Sequence, residues 1–271
     1  MWETIEYEKE GAVATIRLNR PKAMNAMNFK MMEELPKALA DAEADRAINV
    51  VVLGHNGPHF GAGYDLKENW RETYQGDEGV LGARNMLQAC IDFEFAPWNC
   101  AKPVIAMVRG YCLAGSCELA MMCCVTFASE NAQFGEPEIR FSTSPPAMIM
   151  PWIVGLKKAR ELLYTGDFIG AEEAREWGMV NRVFADDKLE EETMRYARRA
   201  ASISQEGLKT TKAAINRGAE IAGFRQAMDV GVDQGAMLDA TPTEVYLTFQ
   251  KITKEEGLSA AIRWRETQFE E

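Results

Sequence analysis

The chain has 271 residues, 47% of them hydrophobic, and a formal net charge of −11. That length holds one large domain, or a domain with an appendage, and that apolar fraction builds a real core, which excludes global disorder. The acidic balance argues against nucleic acid as a partner, because phosphate binding needs clustered Lys and Arg.

The start, "MWETIEYEKEG", is acidic and lacks an apolar run, so no signal or transit peptide is expected and the predicted location is cytoplasmic. No stretch approaches about 18 uninterrupted apolar residues, so no membrane span is expected. "AVATIRLNRP" alternates like a strand and stops at Pro21. "MNFKMMEELPKALADAEADR" has helical spacing, with Pro36 expected to strain or shorten it. "INVVVLGHNG" and "PVIAMVRG" read as buried strands, and a helix follows the second. "VTFASENAQFG" reads as two short strands around a turn. Strand, crossover helix and strand recur, which implies parallel strands. From about Lys157 the chain reads mostly helical, so the expected division is an α/β core over 1–195 and a helical region over 196–271.

Several chemistries are absent from the text. There is no GxSxG elbow, no GxxxxGK[ST] phosphate loop and no dinucleotide fingerprint between a strand and a helix. The only histidines, His55 and His59, sit together in the glycine-rich "GHNGPHFGAG", and His59 reads as a loop residue. The six cysteines form no CxxC pair, and with two histidines in the chain no zinc site is expected. They read as reduced cysteines, mostly in the core.

Chemistry concentrates in "RGYCLAGSCELAMMCC", where strand "VIAMVRG" feeds into a helix. N–H groups at a helix start are unpaired and attract developing negative charge. Gly115 lets a ligand approach one of them without a side chain in the way. A second glycine-flanked loop, "FGAGYDLKE", also follows a strand and offers the N–H of Tyr64. Two such donors make an oxyanion hole for a carbonyl, or else are two ordinary strand-to-helix turns. Glu118 lies one turn past Gly115 and can face the same pocket. Glu138 lies in "FGEPEI", with Glu136 pointing the other way if that segment is extended. Two carboxyls in an apolar cleft have raised, separated pKa values suited to acid–base work. The other reading pairs Glu118 with Arg109 or Arg140 and leaves Glu138 in solvent.

These stretches, in their joint order, resemble the crotonase superfamily and within it the enoyl-CoA hydratases. The resemblance runs over nearly the whole chain: "LNRPKAMNAM", "FGAGYDLKE", "KPVIAMVRGYCLAGSCELAMMC", "ASENAQFGEPEI", "LLYTGDFIGAEEAREWGMVNRVF" and "EGLSAAIRWRETQF". It implies an α/β fold, a spiral of ββα units, with a C-terminal helical region that builds homotrimers, often paired into hexamers. It implies that Tyr64 and Gly115 supply the oxyanion-hole N–H groups, that Glu118 and Glu138 are the acid–base glutamates, and that water adds across the α,β double bond of an acyl-CoA thioester. No resident cofactor is implied, since coenzyme A is part of the substrate. Lys22, Ala62, Asp65, Leu66, Trp70, Pro146 and Arg263 are the implied substrate and CoA contacts.

Three positions depart from the family pattern. "FSTSPPAMIMPW" replaces a glycine-rich turn, and Pro146 stands where a glycine N–H helps organise the glutamate and water. "MMCC" puts Cys124 where an Asp is usual, and the last helix has Ala261 and Trp264 where an aromatic and a lysine are usual. With Trp70, Trp98, Met148 and Trp152, the altered turn points to a reshaped acyl pocket and a cyclic or aromatic acyl group. Isomerisation, ring hydrolysis and a hydroxycinnamoyl-CoA hydratase-lyase reaction are the alternative enzyme readings, and a non-catalytic CoA-ester binder is the alternative from another class.

Overall fold

The computed structural model describes residues 2–68, 70, 73 and 79–269; Asn69, Arg71 and Glu72 of "AGYDLKENWRE" lie outside them. Its backbone is a six-stranded sheet in the order β1-β2-β3-β4-β6-β9. These strands are β1 Ile5–Glu10, β2 Val13–Leu18, β3 Val50–His55, β4 Val104–Val108, β6 Val125–Ser129 and β9 Arg182–Phe184. Only β1 is antiparallel to its neighbour; the other pairs are parallel. A second sheet holds β5 Tyr111–Leu113, β7 Gln133–Gly135 and β8 Phe168–Gly170 in the order β5-β7-β8. The two strands expected around one turn, β6 and β7, therefore belong to different sheets.

The run "VVVL" has no polar alternation because both faces of β3 are covered. Val51 and Leu53 join Ile16, Ala106 and Val108 in one core, under helix α1, Phe29–Ala44. Val50 and Val52 join Ile105, Met107 and Phe127 on the other side, under helix α8, Leu189–Ala201. Pro36 does not end α1, which runs on to Ala44. The helix is capped by the Asn28 side chain and fastened through buried Met31, Leu35, Ala38, Leu39 and Ala42, which outweighs one missing N–H.

Between these come α2 Val80–Glu94, α3 Ala96–Asn99, α4 Gly115–Met121, α5 Met150–Val154, α6 Leu156–Thr165 and α7 Ala171–Trp177. Strands β8 and β9 interrupt the stretch that reads as helical from Lys157. Then follow α9 Gln205–Ile221, α10 Phe224–Asp239, α11 Glu244–Glu256 and α12 Leu258–Glu266. The 195/196 division falls inside α8, which packs on the sheet. The adjacent parallel strands β3 and β4 both end at one edge, where the loops 56–65 and 109–114 meet; in parallel sheets this carboxyl edge is where ligands bind.

Candidate active site

The loop after β3 is tied down before it reaches Tyr64. The Asn25 amide donates to the carbonyls of Asn56, at 2.9 Å, and His59, at 2.7 Å. Gly61 N–H donates to Tyr111 O and Leu113 N–H to Gly61 O, at 2.9 and 3.0 Å. Gly63 N–H then donates to Ser116 Oγ, 3.1 Å away on α4. This approach leaves no room for side chains. A β-carbon on Gly61 would lie 2.2 Å from Ser116 Oγ, and one on Gly63 would lie 2.5 Å from Ala114 Cβ and 3.5 Å from the Gly115 nitrogen. Gly63 also has φ of +87°, which favours glycine.

Two N–H groups are left over at this junction. Met27 N–H donates to Gly63 O and Asp65 N–H to Met27 O, at 2.8 and 2.9 Å. In that parallel bridge the N–H of Tyr64 itself points away from Met27. Gly115 opens α4, so its N–H has no carbonyl a turn earlier. Ala114 precedes it at φ +56°, ψ −141°, a costly conformation for a residue with a β-carbon, held in place because its N–H donates to Gly135 O at 2.8 Å. Neither the Tyr64 nor the Gly115 N–H donates to a protein carbonyl among the described residues.

Four glutamates are buried beside these donors: Glu94, Glu118, Glu136 and Glu138. Glu118 Oε1 accepts the Ala147 N–H at 2.5 Å. Its Oε2, one oxygen of Glu94, one of Glu138 and both of Glu136 are buried without a hydrogen-bond partner among the described residues. The arginines that could have neutralised Glu118 are engaged elsewhere, Arg109 with Asp186 at 2.8 Å and Arg140 with Asp167 at 2.5 Å. Burial therefore dominates the electrostatics. It pushes Glu138 up to about 7 and Glu94 up to about 8. Burial, and then the like charges of Glu94, Glu136 and Glu138, push Glu118 well above the carboxylate range; the Ala147 N–H pulls the other way. Glu136 moves up for the same first reason and, just before the compact turn 137–141, is buried and does not point out to solvent.

Tyr64, Gly115, Glu118 and Glu138 thus converge. Trp70 joins them, edge-on to the Tyr64 ring at 5.2 Å, with its Nε1–H donating to Asp65 O at 2.9 Å. Asp65 is buried and paired with Arg20 at 2.9 Å. Ala62 is half-buried and donates its N–H to Met24 O, while Lys22, Leu66 and, on α12, Arg263 are exposed. Trp98 and Trp152 both pack on Phe224, at 4.4 and 5.4 Å. His59 stacks on Tyr111 at 4.6 Å and accepts that residue's N–H, and His55 is half-buried and pushed down to about 4, first by desolvation.

Pro146 is buried and has no N–H, yet the donor that its position was expected to cost Glu118 is supplied one residue later, by Ala147. Three participants escape a reading by motif: Ala147, Ser116 and Glu94.

The sequence profile described as enoyl-CoA hydratase/isomerase matches residues 8–258. The chain belongs to this family. A probable enoyl-CoA hydratase from Rhizobium meliloti is 40% identical over 227 residues, covering 81% of this chain and 84% of that protein. A crotonyl-CoA hydratase from Syntrophomonas wolfei is 33% identical and covers 99% of this chain and 98% of its own. The crystal structure of an enoyl-CoA hydratase/isomerase from Xanthobacter autotrophicus Py2 superposes with a TM-score of 0.94 at 39% identity, over 100% of both chains. The expected crotonase-like α/β fold is thus the fold of the family, and the chain is a hydratase-like member of it. No helix among the described residues is long and apolar enough to cross a membrane.

Proposed function

We propose that the protein hydrates the α,β double bond of an enoyl-CoA thioester. The observation that carries this reading is the pairing of two unclaimed N–H groups, on Tyr64 and Gly115, with two buried glutamates, Glu118 and Glu138. The N–H pair binds the thioester oxygen and stabilises the enolate that forms when a nucleophile adds to Cβ. Glu118, whose anion is favoured by the Ala147 N–H, takes the proton of the attacking water. Glu138, pushed up to about 7 and with one oxygen left without a partner among the described residues, delivers a proton to Cα. Buried surroundings raise both carboxyls above the ordinary carboxylate range.

Lys22 and Ala62, in the 20–25 turn and the loop it is tied to, are the proposed contacts for coenzyme A, with Arg263 as a further cation. Asp65, Leu66, Trp70 and Pro146 are proposed to shape the acyl side. A homotrimer, or a pair of trimers, built by the C-terminal helices, a cytoplasmic location and a role in fatty-acid metabolism are part of the same reading.

The test is hydration of crotonyl-CoA, followed as loss of the enoyl absorbance, extended to a panel of linear, branched, cyclic and aromatic enoyl-CoAs. Turnover of any of them is the expected result. No turnover across the panel would overturn the reading in favour of a CoA-ester binder.

A further inference from the structure

Tyr64 carries a proposed oxyanion donor on its backbone, and its side chain runs on to a buried acid that the proposed chemistry leaves unused. The hydroxyl donates to Oε1 of Glu94, the last residue of α2, at 2.6 Å, and lies 3.1 Å from the Cys90 carbonyl on the same helical turn. In a helix that carbonyl faces the N–H of Glu94, four residues on, so the carboxyl is the nearer and the freer acceptor. Glu94 is fully buried. Burial also holds the Tyr64 phenol well above its usual range, so it stays a donor.

Between backbone and hydroxyl, the ring meets the other donor. A β-carbon on Gly115 would lie 2.5 Å from Tyr64 Cε2 and 2.9 Å from Cδ2, so the ring rests on the Gly115 α-carbon. Trp70 and Phe93 approach the same ring edge-on, at 5.2 and 6.5 Å. The backbone bonds to Met27 secure Tyr64 on the side away from its free N–H. The ring, held at its far end by Glu94, secures the face that meets Gly115.

We propose that Glu94 is a positioning residue for the oxyanion hole: by accepting the Tyr64 hydroxyl it pins the ring against Gly115 and so fixes the Tyr64 and Gly115 N–H groups relative to each other. This rests on the reading of those two N–H groups as the donors to the thioester oxygen, and adds to it the group that holds them in register. The donors come from separate loops, and both must lie at hydrogen-bond length from one oxygen to stabilise it. A strut between them acts on the transition state more than on the bound ester, because that oxygen accepts more strongly as charge develops on it.

The experiment uses the full-length protein. Tyr64→Phe keeps the ring and the N–H and removes the hydroxyl; Glu94→Leu removes the acceptor and Glu94→Gln keeps one. Tyr64→Phe and Glu94→Leu should each lower kcat about tenfold with KM within about twofold of wild type, and Glu94→Gln should stay near wild type. The double variant should be no slower than the slower single variant, because both changes break one bond. Additive losses, or an unchanged kcat in Tyr64→Phe, overturn the proposal. A second readout needs no turnover and stands without Glu94→Leu, should that variant fail to fold. Butyryl-CoA is saturated and inert to hydration; isotope-labelled at the thioester carbonyl, its C=O stretch is read by infrared difference spectroscopy when bound. The hole should lower that stretch in wild type and in Glu94→Gln, and Tyr64→Phe should return it part-way to its solution position. A band lowered equally in Tyr64→Phe overturns the proposal, and a wild-type band at its solution position removes the hole and the strut together. Wild type that shows the expected bands but hydrates nothing loses the hydratase reading alone. Wild type that hydrates, with kcat and band unmoved in Tyr64→Phe, loses the role of Glu94 alone.

Discussion

The Ala147 N–H donates to Glu118 Oε1 at 2.5 Å, and that bond favours the ionised form of the glutamate. A hydrogen bond to a charged group contributes about 1.5–3 kcal/mol, and each 1.4 kcal/mol in a barrier is about tenfold in rate. Ala147→Pro deletes the N–H and should lower kcat about ten- to a hundredfold with little change in KM. Ala147→Ser keeps it and should stay near wild type. Steady-state kinetics on both variants, with circular dichroism to check the fold, settles the point. Equal rates in the two would remove Ala147 from the account.

Glu138→Gln should lower kcat by at least about two orders of magnitude, the usual contribution of a positioned general acid. Burial of the CoA ester is not altered by an isosteric change, so KM should stay within a few-fold. Full activity of Glu138→Gln on the true acyl group would mean that another residue protonates Cα.

What was legible in the sequence follows from how local each signal is. Gly115 and Glu118 stand three residues apart in one run, and the charge in "GSCELAMM" is visible because nearly everything around it is apolar. Tyr64 is flagged by the glycines before it. Ala147 could not be found in this way, because a backbone N–H has no residue signature. Pro146, beside it, drew attention to a loss that the next peptide repairs. Glu94 was missed for another reason: "ACIDFE" is an ordinary amphipathic helix end, and only the tertiary meeting of α2 with the Tyr64 loop and α4 buries that carboxyl. The two sheets were hidden too, since β6 and β7 are separated by three residues yet pair with different partners.

The same burial has a consequence for stability. Glu138 rises from an ordinary 4.5 to about 7. A carboxyl with a higher pKa folded than unfolded binds more protons in the native state. Its contribution is fully present below about pH 4.5 and is lost as pH rises through about 7. Glu138→Gln should therefore match wild type in unfolding free energy near pH 5 and exceed it near pH 8, by about 1–3 kcal/mol. Urea titrations at the two pH values measure the difference directly. A variant equally destabilised at both would show that the carboxyl is not held neutral by burial.

Ser116 offers the cleanest test of the oxyanion junction, since it touches neither proposed glutamate role. Its Oγ receives the Gly63 N–H at 3.1 Å and holds the Tyr64 loop against the start of α4. Losing that bond costs about 1 kcal/mol and frees the loop by a fraction of an ångström, which matters where a donor must meet a developing oxyanion. Ser116→Ala should lower kcat/KM about tenfold, with the pH profile unmoved because no carboxyl is disturbed. Gly63→Ala should be far worse, because its β-carbon would lie 2.5 Å from Ala114 Cβ at a φ of +87°. If Gly63→Ala retained wild-type kcat/KM, the Tyr64 N–H would not be an oxyanion donor, since that substitution cannot be accommodated without moving it.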